Sequence, residues 1–208
     1  MMLNTVRAPL AHPAPIAELR PTQMTIGMRE VKEKAEQIKK LKPHREKGFV
    51  EHHVVPVVKG PKSHLYVIDH HHLSYALLLA GETHIRVVIV LDLARLDKPA
   101  FLTFMDNRNL LHPYDSDGKR RSLPDIPRSI DKLADDPYRS LAGALRRAGG
   151  FAKDTTPFSE FLWADHLRRL VLRNRVEDDF SAALRDAYRI ARHQDSDHLP
   201  GWCGSVED

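Results

Sequence analysis

This sequence has very little cysteine and no long apolar run. Its 208 residues include one cysteine, Cys203, which excludes a disulfide framework and a cysteine-based zinc finger. No apolar run approaches the roughly 18 residues that a membrane-spanning helix needs. The first residues also lack the apolar segment of a secretory signal. We therefore expect a cytoplasmic protein without a membrane span.

The charge excess is small as well. The chain has 32 Lys and Arg against 28 Asp and Glu, a formal net charge of +4. A protein that coats duplex DNA usually carries a stronger and more clustered excess. The glycine-rich phosphate motifs GxGxxG and GxxxxGKS/T are both absent. The 13 histidines, by contrast, are numerous, which favours a metal or proton-transfer site.

Hydrophobic spacing predicts an α+β half followed by a helical half. Apolar residues three and four positions apart predict a helix over Met28–Leu41, which Pro43 would end. Residues 54–58, 64–68 and 83–91 have strand composition, and Pro56 in the first run indicates an edge strand or a bulge. Further helices are predicted over 73–80, from Asp97 to about 109, over 136–149, from about 155, and over 177–192.

This pattern suggests two units. We expect a small mixed-sheet domain over residues 18–110 and a helical extension over residues 128–195. The irregular residues 111–127 are long enough to form a lid or a binding loop. Residues 1–17 and 196–208 show no periodicity, so we predict flexible tails there.

The segment with the clearest chemical character is the tetrad Asp69-His70-His71-His72. An apolar strand precedes it and a helix follows it. Such a turn exposes the first N–H groups of the helix, where the dipole favours an anion, and imidazoles add donors. This predicts a phosphate site. Alternatively, Asp69 is only a helix cap, one histidine is a core residue and another is solvated. Consecutive histidines suit a metal poorly, because helical neighbours diverge by about 100°.

The tetrad with its preceding strand resembles the GHHR or GCHR-type turn of the ParB/sulfiredoxin superfamily. Longer phrases are similar to one branch, the putative ParB-like nuclease family. They are RPTQMTIGMREVKEK (20–34), PVVKGPKSHLYVIDHHHLSYALLLAG (56–81) and DPYRSLAGALRRAGGFAKDTTPFSEFLWAD (136–165). The resemblance covers roughly residues 16–172.

The resemblance implies a small ParB/sulfiredoxin-like α+β domain that binds nucleotide phosphates at this turn, with ATP or CTP and Mg²⁺ as cofactors. Relatives activate a sulfinate, clamp DNA with CTP, phosphorylate serine or act as nucleases. This chain differs in three ways. Asp69 replaces a small residue and adds a charge that a cation would have to offset. Cys203 lies far from the core, which argues against sulfinate chemistry, and no helix-turn-helix segment follows residue 110.

Phosphoryl transfer needs a phosphate clamp, charge neutralisation and an oriented nucleophile. The resemblance to superfamily kinases places a base at Glu30 or Glu33, with Glu30 preferred, although either can simply be a paired helix-surface carboxylate. Asp69 and His71 are further catalytic candidates, and Asp69 is also a possible metal ligand. The candidate phosphate and nucleotide contacts are His70, His71, His72, Thr22, Gln23, Arg29 and Lys34.

Weaker candidates lie further along the chain. Arg139, at the start of a predicted helix, can contact an anion, whereas Phe158 and Phe161 are interpreted as core residues rather than as a base-stacking platform. The loop after residue 110 supplies a possible lid, for which the candidates are Asp115, Asp117, Lys119 and Arg120.

Three functions therefore stay open. The first is nucleotide-dependent phosphoryl transfer or hydrolysis on a small molecule. The second is nucleic-acid binding or metal-dependent nuclease activity, against which the small charge excess counts. The third is a non-catalytic module that binds a ligand or a partner, which the negative charge of Asp69 favours.

Overall fold

A mixed five-stranded sheet organises the first half of the chain. The structure is a computed structural model that describes residues 10–41 and 53–205. The strand order is β1-β6-β4-β5-β2, and β3 and β7 form a separate parallel pair. The strands are β1 (His12–Pro15), β2 (Arg20–Pro21), β3 (Thr25–Ile26), β4 (Val54–Lys59), β5 (Leu65–Val67), β6 (His84–Asp92) and β7 (Ala134–Asp135).

Pro56 lies in the central strand, not in an edge strand. β4 pairs in parallel with β6 on one side and antiparallel with β5 on the other. The edge-strand alternative was therefore wrong. A register shift does occur in the β4–β6 pairing between Val57 and Val58, so the bulge alternative describes this region better.

Helices cover both faces of the sheet. Val55, Val57 and Val67 point to a core shared with α1 (Met28–Leu41) and α2 (His71–Leu79), as the alternation of strand side chains requires. Val58 and Tyr66 point to a second core beneath α3 (Lys98–Asn107). As predicted, Asp97 caps α3 by accepting a hydrogen bond from the Ala100 amide at 2.8 Å.

The helical half has its own core around Trp163, which is fully buried and stacks on Phe151. Its helices are α4 (Pro137–Arg147), α5 (Ser159–Leu170), α6 (Arg173–Asp178) and α7 (Phe180–Ala191). The helix predicted over 177–192 begins instead at Phe180, because Asp179 caps α7 through the Ala182 amide, and Glu177 and Asp178 are the last residues of the separate α6.

Both segments predicted as flexible tails belong in part to the fold. Residues His12–Pro15 pair with β6, and Ile16 is fully buried. Ser196 is also buried, and the Pro200 carbonyl accepts a hydrogen bond from Trp163 Nε1 at 2.9 Å. The tail prediction was wrong for these residues because their order comes from partners distant in sequence. Residues 1–9 and 206–208, and Pro43, lie outside the described residues.

None of the helices in the described ranges is both long and apolar enough to cross a membrane.

Candidate functional site

The turn between β5 and α2 is built around a left-handed residue. His70 has φ 64° and ψ 28°, and its amide donates to Asp69 Oδ1 at 2.6 Å. Asp69 and His70 are both exposed. Among the residues that the structure describes, no side chain caps the N-terminus of α2, so Asp69 holds the turn but leaves the first turn of the helix open.

The side chain of His71 is buried, and its hydrogen bond is made to the protein's own backbone. Its Nε2 accepts a hydrogen bond from the Thr22 amide at 3.2 Å, and Thr22 Oγ1 donates to the Val67 carbonyl at 2.7 Å. Burial lowers the pKa of His71 to about 3. The ring is therefore neutral near pH 7, and its Nε2 has no proton to give to a phosphate.

His72 is also turned inward. Its Nε2 accepts a hydrogen bond from the Gly27 amide at 3.2 Å and lies 3.7 Å from Glu30 Oε2. Burial, reinforced by the positive charge of Arg139, holds the pKa of His72 well below its ordinary value. The prediction that His70, His71 and His72 contact the phosphate needs correction, since only the ring of His70 is exposed.

A cleft of about 560 Å³ borders the open turn of α2 and is lined by residues from both halves of the protein. Five cationic and four anionic side chains line it. Of the five non-glycine residues with positive φ in the described ranges, three line this cleft: His70, Asn109 and Phe158. Such backbone strain tends to accumulate at functional sites. The charged lining residues are Lys34, Arg108, Arg139, Arg146, Lys153, Glu30, Asp69, Asp154 and Glu160.

Glu30 is the predicted base with the most suitable position. Its side chain is 16% exposed, lines the cleft and pairs with Lys34 Nζ at 3.5 Å and with Arg147 Nη1 at 3.5 Å. Glu33 is half exposed, pairs with Arg29 and lies outside the lining. The cleft also brings together other predicted residues, namely Gln23, Lys34 and the tetrad from Asp69 to His72.

The predicted lid residues lie outside the cleft and make contacts with other parts of the protein. Arg120 pairs with Asp106, Asp117 pairs with Arg173, and Asp115 accepts hydrogen bonds from the Asp117 and Lys119 amides. None of the four belongs to the cleft lining that the structure describes, nor do Thr22 and Arg29. Thr22 instead supports His71, while the Arg29 guanidinium carbon lies 4.1 Å from the centre of the Phe180 ring.

Sequence reasoning did not single out His112. Its ring stacks on Phe161 with centroids 3.8 Å apart, and its amide donates to the Thr22 carbonyl at 2.8 Å. Burial, followed by the charge of Arg139, lowers the pKa of His112 to about 4. The local sequence held no periodicity that would have shown this burial. Phe161 is buried as interpreted, whereas the Phe158 ring is partly exposed and lines the cleft.

Within residues 10–41 and 53–205, no group of three or more His, Cys, Asp or Glu side chains is arranged to hold a metal ion. Asp69 thus stands as a single exposed carboxylate at the turn.

Comparisons with known proteins agree with the sequence resemblance. The protein Atu1540 from Agrobacterium tumefaciens has a crystal structure that matches with a TM-score of 0.89 at 46% identity, covering 96% of this chain and 100% of that one. The chromosome-partitioning protein ParB from Caulobacter crescentus is much more distant. Its complex with CTP-γ-S matches at 15% identity with a TM-score of 0.32, covering 90% of this chain and 94% of that one.

The same ParB bound to the centromeric parS site matches at 15% identity with a TM-score of 0.30, covering 87% of this chain and 97% of that one. Likeness this weak carries no argument about function. No curated protein matches the chain. A family model described as Putative ParB-like nuclease, however, matches residues 12–169. The chain therefore belongs to the Putative ParB-like nuclease family.

Proposed function

We propose that the protein binds a nucleotide, ATP or CTP with Mg²⁺, through a phosphate at the open first turn of α2, and carries out phosphoryl transfer or hydrolysis on a small molecule in the adjoining cleft. The observation that carries this proposal is the uncapped N-terminus of α2 beside a cleft with five cationic side chains. Free N–H groups at a helix N-terminus bind phosphate well, and the helix dipole adds to the attraction.

The roles of the side chains differ from those first expected. The backbone of the turn and the exposed ring of His70 contact the phosphate, while His71 and His72 anchor the turn to Thr22 and Gly27. Glu30 is the base, because its carboxylate lines the cleft, where Lys34 and Arg147 hold it in position. Mg²⁺ would arrive with the nucleotide, and the exposed Asp69 carboxylate is the residue of the turn that could give it an oxygen ligand.

A nucleotide panel measured by thermal unfolding tests the binding step. A ligand at 100 times its dissociation constant stabilises a protein by about 2.7 kcal/mol, which is an easily measured shift. We expect ATP or CTP with Mg²⁺ to raise the melting temperature. If calorimetry and thermal unfolding show no nucleotide binding with or without Mg²⁺, while single-stranded DNA binds, the proposal is overturned in favour of a nucleic-acid function.

Two glutamates on α1 provide a matched pair for the catalytic step. Glu30→Gln is expected to lower nucleotide turnover at least 100-fold with little change in nucleotide affinity, since positioned general bases typically contribute 10²–10⁴-fold. Glu33→Gln, outside the cleft lining, should keep wild-type turnover. Measuring product formation under single-turnover conditions compares the chemical step in the two variants. Equal losses in both variants would contradict the role of Glu30.

The charge of Asp69 gives a prediction with a definite sign. Asp69→Asn keeps an oxygen for the His70 amide but removes a negative charge beside the phosphate. Two unit charges about 4 Å apart in water interact by about 1 kcal/mol, so the affinity for nucleotide in EDTA should rise about fivefold. Titration calorimetry in EDTA measures it. Unchanged or weaker binding would place the phosphate away from this turn.

A further inference from the structure

One face of α4 carries two arginines with a glycine between them. Arg139, Gly143 and Arg146 are four and then three residues apart, so they share a face of the helix. Glu160, in the first turn of α5, pairs with both arginines: its Oε2 contacts Arg139 Nη2, and its Oε1 lies 2.5 Å from Arg146 Nε. A single carboxylate thus bridges two guanidinium groups at the wall of the cleft.

Arg139 has more hydrogen-bonding capacity than Glu160 uses. Its side chain is 9% exposed, and its Nε and Nη1 have no hydrogen-bond partner among the described residues. The ring of Phe161, 5.1 Å from the guanidinium carbon, offers no acceptor oxygen. Native proteins leave few buried donors unmet, and a charged donor is the most costly to leave so. The guanidinium is therefore suited to an acceptor that the protein itself does not supply.

Gly143 keeps space open beside this arginine. A Cβ atom at position 143 would lie 3.5 Å from Arg139 Nη1 and only 2.9 Å from Glu30 Oε2. Glycine is a poor helix former, yet it occupies the middle of α4. The small residue thus brings the carboxylate of the candidate base close to the guanidinium of Arg139.

We propose that Arg139 and Arg146 form a second oxyanion subsite, which Glu160 occupies in the ligand-free protein and which a phosphate of a nucleoside di- or triphosphate takes over. This inference rests on the proposed function and deepens it. One phosphate binds at the α2 turn and another on α4, so a nucleoside monophosphate engages only one of the two subsites.

The chemistry of the cluster supports this exchange. Guanidinium groups bind carboxylate and phosphate oxygens with the same planar donor geometry, so a phosphate can replace the carboxylate on both arginines. Although burial opposes its ionisation, Arg139 and Arg146 hold the pKa of Glu160 below its usual value. Glu160 is consequently an ionised competitor for the same donors near pH 7.

Calorimetric titration of ATP and AMP, and of CTP and CMP, into four proteins tests the subsite. The wild type should bind the triphosphate at least tenfold more tightly than the monophosphate. Arg139→Lys should lose about tenfold in triphosphate affinity and little in monophosphate affinity, because lysine keeps the charge but not the planar donors. Glu160→Gln should bind the triphosphate several-fold more tightly, since the competing charge is gone. Arg168→Lys is the matched control, because Arg168 is a largely buried, paired arginine outside the cleft lining.

Each result decides the question. Equal affinities for mono- and triphosphate, unchanged binding in Arg139→Lys, or weaker binding in Glu160→Gln would overturn the subsite while the proposed function stands. If no nucleotide binds, the proposed function fails and inorganic pyrophosphate becomes the probe. Pyrophosphate binding that Arg139→Lys weakens and Glu160→Gln strengthens supports the subsite, and any other result overturns it.

A second variant keeps the test valid if Arg139→Lys does not fold. Arg146→Lys removes the planar donors of the other arginine of the subsite, whose side chain is 33% exposed and therefore tolerates the change better. It should weaken triphosphate binding several-fold, and wild-type affinity in this variant would overturn the subsite.

Discussion

An Asp136→Ala variant is expected to lose about 3–5 kcal/mol of its free energy of unfolding, the usual cost of removing one partner from a buried ion pair. Asp136 is 1% exposed. Its Oδ2 accepts from Arg168 Nη2 at 2.6 Å, its Oδ1 accepts from the Tyr138 amide at 3.0 Å, and its own amide donates to the Ile26 carbonyl at 2.9 Å. The side chain thus caps α4 and pairs with α5, while the backbone amide, which the alanine variant keeps, holds the residue next to β3. Urea unfolding at pH 7 measures the loss.

Asp136→Asn separates the cap from the ion pair. Asparagine caps helices as well as aspartate does, so this variant keeps the hydrogen bond from Tyr138 and loses only the charge. We expect it to retain at least 1 kcal/mol more stability than Asp136→Ala. A loss below about 1 kcal/mol in the alanine variant would mean that the link between the sheet half and the helical half does not depend on this carboxylate.

Acid should destabilise the protein steeply between about pH 6.5 and pH 5. Burial lowers the folded-state pKa of His71 to about 3 and that of His112 to about 4, from 6.5 in the unfolded chain. The unfolded state therefore binds protons that the folded state does not, and stability falls as pH falls below 6.5. Each such histidine contributes up to about 1.4 kcal/mol per pH unit, and His72, whose pKa is also lowered, acts in the same direction.

His112→Phe tests this origin of acid sensitivity. Phenylalanine can keep the stacking on Phe161 but has no imidazole to protonate in the unfolded state. The slope of unfolding free energy against pH, from urea titrations between pH 6.5 and 5, should decrease by up to about 1.4 kcal/mol per pH unit. Tyr114→Phe changes the same cluster without removing an imidazole and should keep the wild-type slope. An unchanged slope in His112→Phe would mean that this ring has the same pKa in the folded and the unfolded protein.

Elements set by local rules were predictable from the sequence. The apolar spacing over Met28–Leu41 and the Asp97 cap before α3 both correspond to the structure, because they depend on neighbours within one or two turns. The strand-to-helix turn at Asp69 was predictable for the same reason. The surroundings of the histidine side chains at this turn were not predictable. A run of three histidines shows that imidazoles gather at a helix start, but not which backbone amides they meet.

The sequence by itself determined the mixed α+β character of the first half and the helical character of the second, the helix start after β5, and the presence of Glu30 on the helix that borders it. Only the tertiary structure decided that His71 and His72 accept hydrogen bonds from Thr22 and Gly27, which makes them anchors rather than cations. It also placed Glu160 against Arg139 and Arg146 from another helix. The reason is physical: burial and charge pairing depend on contacts between residues far apart in the chain, and these set both the protonation of a side chain and the donors it has left to offer.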